Sequence, residues 1–348
     1  MKATWSPSSR PERPLNDATA QSPGESASDS TGRTDEDDGR LIRVQTRDGW
    51  QLALRDFSPS TPHRDKPVIL VFAAMGAPAR AYRRMCRWFA AQGYPIGTLD
   101  LRGTGESPPH PRRGVDFGIS KHLYEDWPAA IAWARSSYPG HRLVLLGHSI
   151  GGQLSGIHAG LNPGQVSALV LLTTTSVWWR STPYPNRWVR GLYMFAAFSL
   201  WARRHGWLDG AVFNWGLPLA RQVVLDWARW GFTGKYSDSE GRNLDGALAS
   251  VTLPVLSISF SDDRRLALKE ACDDYVRRMP RARLTRWHLD PEEIELAEAG
   301  HFAHLRGAES LWRRIDRWLH SALSDQDAAG AGGTSGATGA TDAPASGR

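Results

Sequence analysis

The sequence is poor in cysteine and has no long hydrophobic run. Two cysteines in 348 residues, Cys86 and Cys272, cannot build a disulfide framework or a four-cysteine zinc site. They suit a reducing compartment, so a cytoplasmic location is the expectation. The longest apolar run, Gly191 to Ala202, is too short to span a bilayer, and the N-terminal MKATWSPSSRPERP lacks the apolar core of a signal peptide. No stable membrane insertion is therefore expected. Internal repeats are absent, as are helix-turn-helix, zinc-finger and RNP signatures. No lysine turns the glycine-rich Asp100–Ser107 stretch into a Walker loop, and no dinucleotide fingerprint occurs. His301 and His304 stand three apart with no matching third ligand. These absences predict neither a cofactor nor a metal.

Charge is present but uneven. The net charge is +6, yet residues 1–39 hold four basic and eight acidic side chains, and residues 321–348 hold one and three, which leaves +12 on the middle. Such a balance raises the question of a nucleic-acid partner. The arginines fall instead in helix-like stretches, Arg83, Arg84 and Arg87 or Arg313, Arg314 and Arg317, and read as solvated helix faces, so no nucleic acid is expected.

Residues 1–39 and 324–348 are rich in small and polar residues without periodicity, and both read as disordered tails. Between them, residues 40–323 alternate strand and helix signals. A hairpin turns at Asp48-Gly49, and short apolar runs follow at Val68–Phe72, Pro95–Leu99, Leu143–Leu146, Val166–Leu172 and Pro254–Phe260. Helical spacing lies between them, a last strand is expected at Arg283–His288, and a last helix at Leu311–Leu319. This is the rhythm of an α/β fold with a mostly parallel, doubly wound sheet.

The sharpest local signal is Gly147-His148-Ser149-Ile150-Gly151-Gly152, set between a buried strand and a helix. A serine on that tight turn is the nucleophile elbow: flanking glycines let other backbone approach, and the helix start offers amide donors. A serine hydroxyl needs a histidine base oriented by a carboxylate, in the chain order Ser, acid, His on this scaffold. Ser261-Asp262-Asp263 follows the strand Pro254–Phe260, and Ala299-Gly300-His301 precedes the last helix. Ser149, Asp263 and His301 stand in the required order, with His304 as the nearest rival base.

These motifs, together with Asp100–Ser107, resemble the α/β-hydrolase fold superfamily, and more closely its serine-aminopeptidase-like hydrolases. The Ala74-Met75-Gly76 segment, the Ile258–Asp263 acid motif and Trp227–Trp230 add to the resemblance, which spans about residues 41–320. It implies a fold with an inserted helical lid. Phe260 occupies the place of a usual glycine; counting from it selects Asp263 over Asp262. The resemblance also implies backbone oxyanion donors at Ala77 and Ile150.

Residues 173–250 interrupt the strand–helix rhythm and hold eight of the 16 tryptophans. Between two core strands, this segment reads as a lid whose Trp178, Trp179 and Trp207 wall the substrate pocket. The expected function is a serine hydrolase cleaving an ester, thioester or amide of a small to medium acyl substrate. An acyltransferase on the same triad, or a binding protein that retains the fold, are the alternatives. Oligomeric state is not encoded in these motifs.

Overall fold

The computed structural model describes residues 38–183, 185, 188–210, 212 and 216–332. The N-terminal stretch read as a tail lies almost wholly outside the described residues.

Strands β1 (Arg40–Gln45) and β2 (Gln51–Asp56) form the hairpin, with β2 antiparallel to β4 (Ile96–Leu99). From β4 onward the sheet is parallel through β3 (Val68–Phe72), β5 (Leu143–His148), β6 (Ala168–Leu172), β9 (Pro254–Phe260) and β10 (Arg283–Leu289). The eight-stranded order is β1-β2-β4-β3-β5-β6-β9-β10. The mostly parallel, doubly wound sheet read from the sequence is present.

Fully apolar strands are required here because both faces are covered. In β3, Val68, Leu70 and Phe72 point into the core beneath the helices Trp127–Ser137 and Ile150–Leu161. Ile69 and Val71 point the other way, toward the helices Arg83–Ala91 and Glu309–Gly332. Side chains alternate faces along a strand, so any polar residue in this run would be buried without a partner. The helix Trp127–Ser137 carries Pro128 near its start. A wide helical turn, His122–Asp126, precedes the regular helix, and Pro128 falls in its first turn, where its missing N–H costs nothing.

The last helix runs to Gly332, nine residues into the segment expected to be disordered. Leu311, Ile315, Leu319 and Leu323 recur at helical spacing on its buried face, and Gln326 Nε2 donates to the Ser167 carbonyl at 3.0 Å. That contact carries the helix beyond its apolar stripe.

Between β6 and β9 the chain leaves the sheet. The insertion contains helical stretches Val189–Ala197, Phe198–His205 and Arg221–Thr233, and a separate two-stranded pair, β7 (Trp207–Leu208) with β8 (Leu219–Ala220). Among the described residues no helix is long and apolar enough to cross a membrane.

Candidate active site

The parallel strands end on one edge of the sheet, and β5 lies among them with Ser149 directly after it. Ser149 has φ 55° and ψ −118°, a conformation that non-glycine residues rarely adopt and that costs about 1–3 kcal/mol. The surroundings hold it there. Its N–H donates to the Leu172 carbonyl at 2.9 Å. A Cβ on Gly151 would lie 2.3 Å from the Phe72 carbonyl oxygen, and one on Gly147 would lie 2.3 Å from Gly152 Cα. Only glycine permits so close a turn, which lifts the serine to the start of the helix Ile150–Leu161.

Asp263 follows β9 by three residues and is buried. Its Oδ2 accepts the Nδ1–H of His301 at 2.7 Å, and its Oδ1 accepts the Leu266 N–H at 3.0 Å. Burial alone would raise the Asp263 pKa, but the hydrogen bond and charge of His301 outweigh it and hold the carboxyl below its ordinary range. The neighbouring Asp262 points elsewhere. Its carboxylate accepts the backbone N–H groups of Ala299 and Gly300, each at 2.9 Å, and so anchors the loop carrying His301. His304 does not face the cleft; it is fully buried, with Nδ1 3.3 Å from the Ala299 and Gly300 carbonyls.

Ser149 and His301 line one cavity of about 100 Å³. Apart from Thr175, its other walls are apolar, among them Val177, Met194, Trp227, Leu266 and Phe302. Apart from the ionisable His301, no residue lining it among the described residues can carry a charge. Ile150 borders the cavity, and its N–H opens the helix with no acceptor among the described residues.

Two groups of expected residues are not at this cavity. Ala77 is turned away: its N–H donates to the Ala74 carbonyl at 3.1 Å, closing a turn through Gly76 at φ 74°. That turn leaves Met75 beside Ile150 at the cavity wall, its N–H without an acceptor among the described residues. Met75 lines the cavity and Ala77, the expected donor, does not. Trp178, Trp179 and Trp207 do not line the cavity either. Trp178 lies over Gly234, where a Cβ would come within 2.7 Å of the indole. Trp179 packs on Trp188 at 5.5 Å between ring centroids, and Trp207 sits in β7 paired with Ala220. They pack within the insertion, and among the described residues the indole that lines the cavity is that of Trp227.

Sequence reasoning missed Met75, Trp227, Met194 and Phe302. Trp227 was visible in the Trp227–Trp230 element but was not assigned to the pocket, and an isolated Met or Phe carries no local signature.

The serine aminopeptidase, S33, family matches residues 63–218, from before β3 to just before β8. A quorum-quenching protein, AidA, of Acinetobacter baumannii is 32% identical over 98 residues, covering 28% of this chain and 31% of that protein. A monoacylglycerol lipase of Mycolicibacterium smegmatis is 30% identical over 112 residues, covering 32% and 39%. The chain thus spans about a third of the length of the curated relatives it matches. Among solved structures, an esterase of Exiguobacterium antarcticum superposes with TM-score 0.54 at 17% identity, covering 81% of this chain and 99% of that one. An esterase of Pyrococcus furiosus superposes with TM-score 0.52 at 16% identity, covering 84% and 95%.

Proposed function

We propose that this chain, which shares the fold of solved esterases and resembles the serine aminopeptidase, S33, family over residues 63–218, is a serine hydrolase acting on esters or thioesters of short, uncharged acyl groups. The observation that carries the reading is the shared cavity: Ser149 and His301 meet at an apolar pocket, with Asp263 buried behind the imidazole.

In this reading the Nδ1–H bond to Asp263 fixes the His301 tautomer and leaves Nε2 as the base. Ser149 Oγ attacks the substrate carbonyl carbon while its proton passes to His301 Nε2. The carbonyl π electrons move to oxygen, where the N–H groups of Ile150 and Met75 receive the negative charge. Donors of this kind are worth about 3–4 kcal/mol each in transition-state stabilisation. His301 then protonates the departing alcohol or thiol as the acyl-enzyme forms. Water repeats the sequence with His301 as base, and the acid leaves Ser149 free.

Substrate size follows from the pocket. At about 100 Å³ it is smaller than the ~150 Å³ cavity that admits benzene, so it accepts acyl groups of a few carbons. An aminopeptidase would need a carboxylate to pair with its substrate's ammonium group, and none lines the cavity among the described residues. The relatives named as a lipase and a quorum-quenching protein support acyl chemistry on a small molecule. A panel of p-nitrophenyl esters from acetyl to dodecanoyl, run beside aminoacyl p-nitroanilides, tests this. Turnover should peak at two to four acyl carbons and be negligible on the anilides. A preference for aminoacyl anilides would overturn the reading.

A further inference from the structure

Two further imidazoles, His148 and His304, are packed behind His301 with no solvent exposure. The His148 ring centroid lies 4.9 Å from that of His301 and 5.4 Å from that of His304. The partners of each ring decide where its proton sits. Tyr82, also fully buried, accepts the Ala74 N–H at its hydroxyl oxygen at 2.8 Å. The same hydroxyl lies 2.7 Å from His148 Nδ1, its only acceptor among the described residues. Tyr82 therefore donates to Nδ1, and His148 must carry its own proton on Nε2. His304 has the opposite arrangement. Its Nδ1 faces two carbonyls, which can only accept, so Nδ1 bears the proton and Nε2 is a bare acceptor.

Both Nε2 atoms are buried, and neither makes a hydrogen bond of normal geometry among the described residues, the His301 backbone being only a weak neighbour of His148. One is a donor, the other an acceptor, and they belong to adjacent rings. Leaving both unpaired in a site without solvent would be costly, whereas one water bonded to both removes the cost. Burial, reinforced by the nearby His301, lowers the pKa of both rings, that of His304 to about 4, so each stays neutral near pH 7.

We propose that a buried water accepts the His148 Nε2–H and donates to His304 Nε2. Tyr82, His148 and His304 then form one hydrogen-bonded chain behind the cavity. That chain ties together the three segments bearing Met75, Ser149 and His301. The inference rests on the hydrolase reading for its functional meaning, but the protonation pattern stands independently of it. Tyr82 and His304 are positioning residues: neither lines the cavity, and each acts by holding a loop that does.

Two-bond proton–nitrogen spectra of the full-length, ¹⁵N-labelled chain at pH 7 read the tautomers directly. His148 should be protonated at Nε2 and His304 at Nδ1, and His304→Leu should shift the His148 Nε2–H resonance. The reverse tautomer at either ring would overturn the proposal. So would an unmoved His148 resonance, which would place its N–H on the His301 backbone alone. In kinetics on the best short-chain ester, Tyr82→Phe and His304→Leu should each lower kcat about tenfold with KM nearly unchanged. The double variant should lose little more than either single one, since one chain is broken once; multiplying losses would overturn the chain. If the variants do not fold, the wild-type spectra still decide. The spectra need no turnover, so an active Ser149→Ala enzyme would sink the hydrolase reading while leaving the tautomer result intact.

Discussion

Asp262 and Asp263 are adjacent in sequence, yet they hold the same loop by different handles. Asp263 takes the imidazole of His301, and Asp262 takes the backbone amides of Ala299 and Gly300 just before it. One sets the ring's tautomer and orientation; the other sets where the loop sits.

The two aspartates should therefore separate in kinetics and in melting. Asp263→Asn should lower kcat by at least about a hundredfold, because an amide permits the wrong imidazole tautomer. Asp262→Asn keeps an acceptor oxygen and should cost no more than about tenfold in kcat, with a fall in Tm of a few degrees from weaker charge-assisted bonds. Matched kcat and Tm measurements on both variants check this; a larger kcat loss for Asp262→Asn would reverse the assignment.

Selectivity should respond to Trp227 and Met194 and not to the tryptophans away from the cavity. Trp227→Ala or Met194→Ala enlarges the pocket and should move the preferred acyl chain upward by several carbons, each methylene being worth roughly 1–3 kcal/mol in such a pocket. Trp178→Ala, Trp179→Ala and Trp207→Ala should lower Tm while leaving the chain-length profile unchanged. A profile altered by Trp178→Ala but not by Trp227→Ala would contradict the cavity described here.

Stability should fall as the medium becomes mildly acidic. Burial lowers the pKa of His148, and it brings His158 and His304 to about 4, below the ordinary imidazole value. Between about pH 4 and 6.5 the unfolded chain binds protons that the folded chain refuses, so stability rises with pH through this window and is lost as pH falls. Each histidine contributes a slope of about 1.4 kcal/mol per pH unit. Asp263, with its pKa lowered, loses its own contribution only further down, as pH falls through the bottom of the carboxylate range. Urea midpoints at pH 7.5, 6 and 5 should decline steadily below 6.5; a flat series would show that these rings protonate without penalty.

Much of this architecture is legible because it is written locally. Val68–Phe72 and Pro254–Phe260 match their strands residue for residue, since a strand covered on both faces needs an unbroken apolar run. The turn at Ser149 is announced by Gly147, Gly151 and Gly152, which the close backbone approach demands. The cavity wall is less legible. Whether Met75 or Ala77 faces the pocket depends on a turn closed by Ala74, one hydrogen bond that composition does not encode. The direction in which Trp178 or Trp227 points is set by helix packing inside the insertion. The Tyr82–His148 contact joins residues 66 apart and leaves no periodic mark.

The central claim is that Ser149 forms the covalent bond to the substrate's acyl carbon. Intact-mass analysis after treatment with a fluorophosphonate reports it directly, alongside ester turnover. The wild-type chain should gain one phosphonyl group and lose all esterase activity, with the adduct on the peptide containing Ser149. Ser149→Ala should fold, remain unlabelled and turn over at least about a thousandfold more slowly. Labelling of the alanine variant, or esterase activity near the wild-type level in it, would contradict the account.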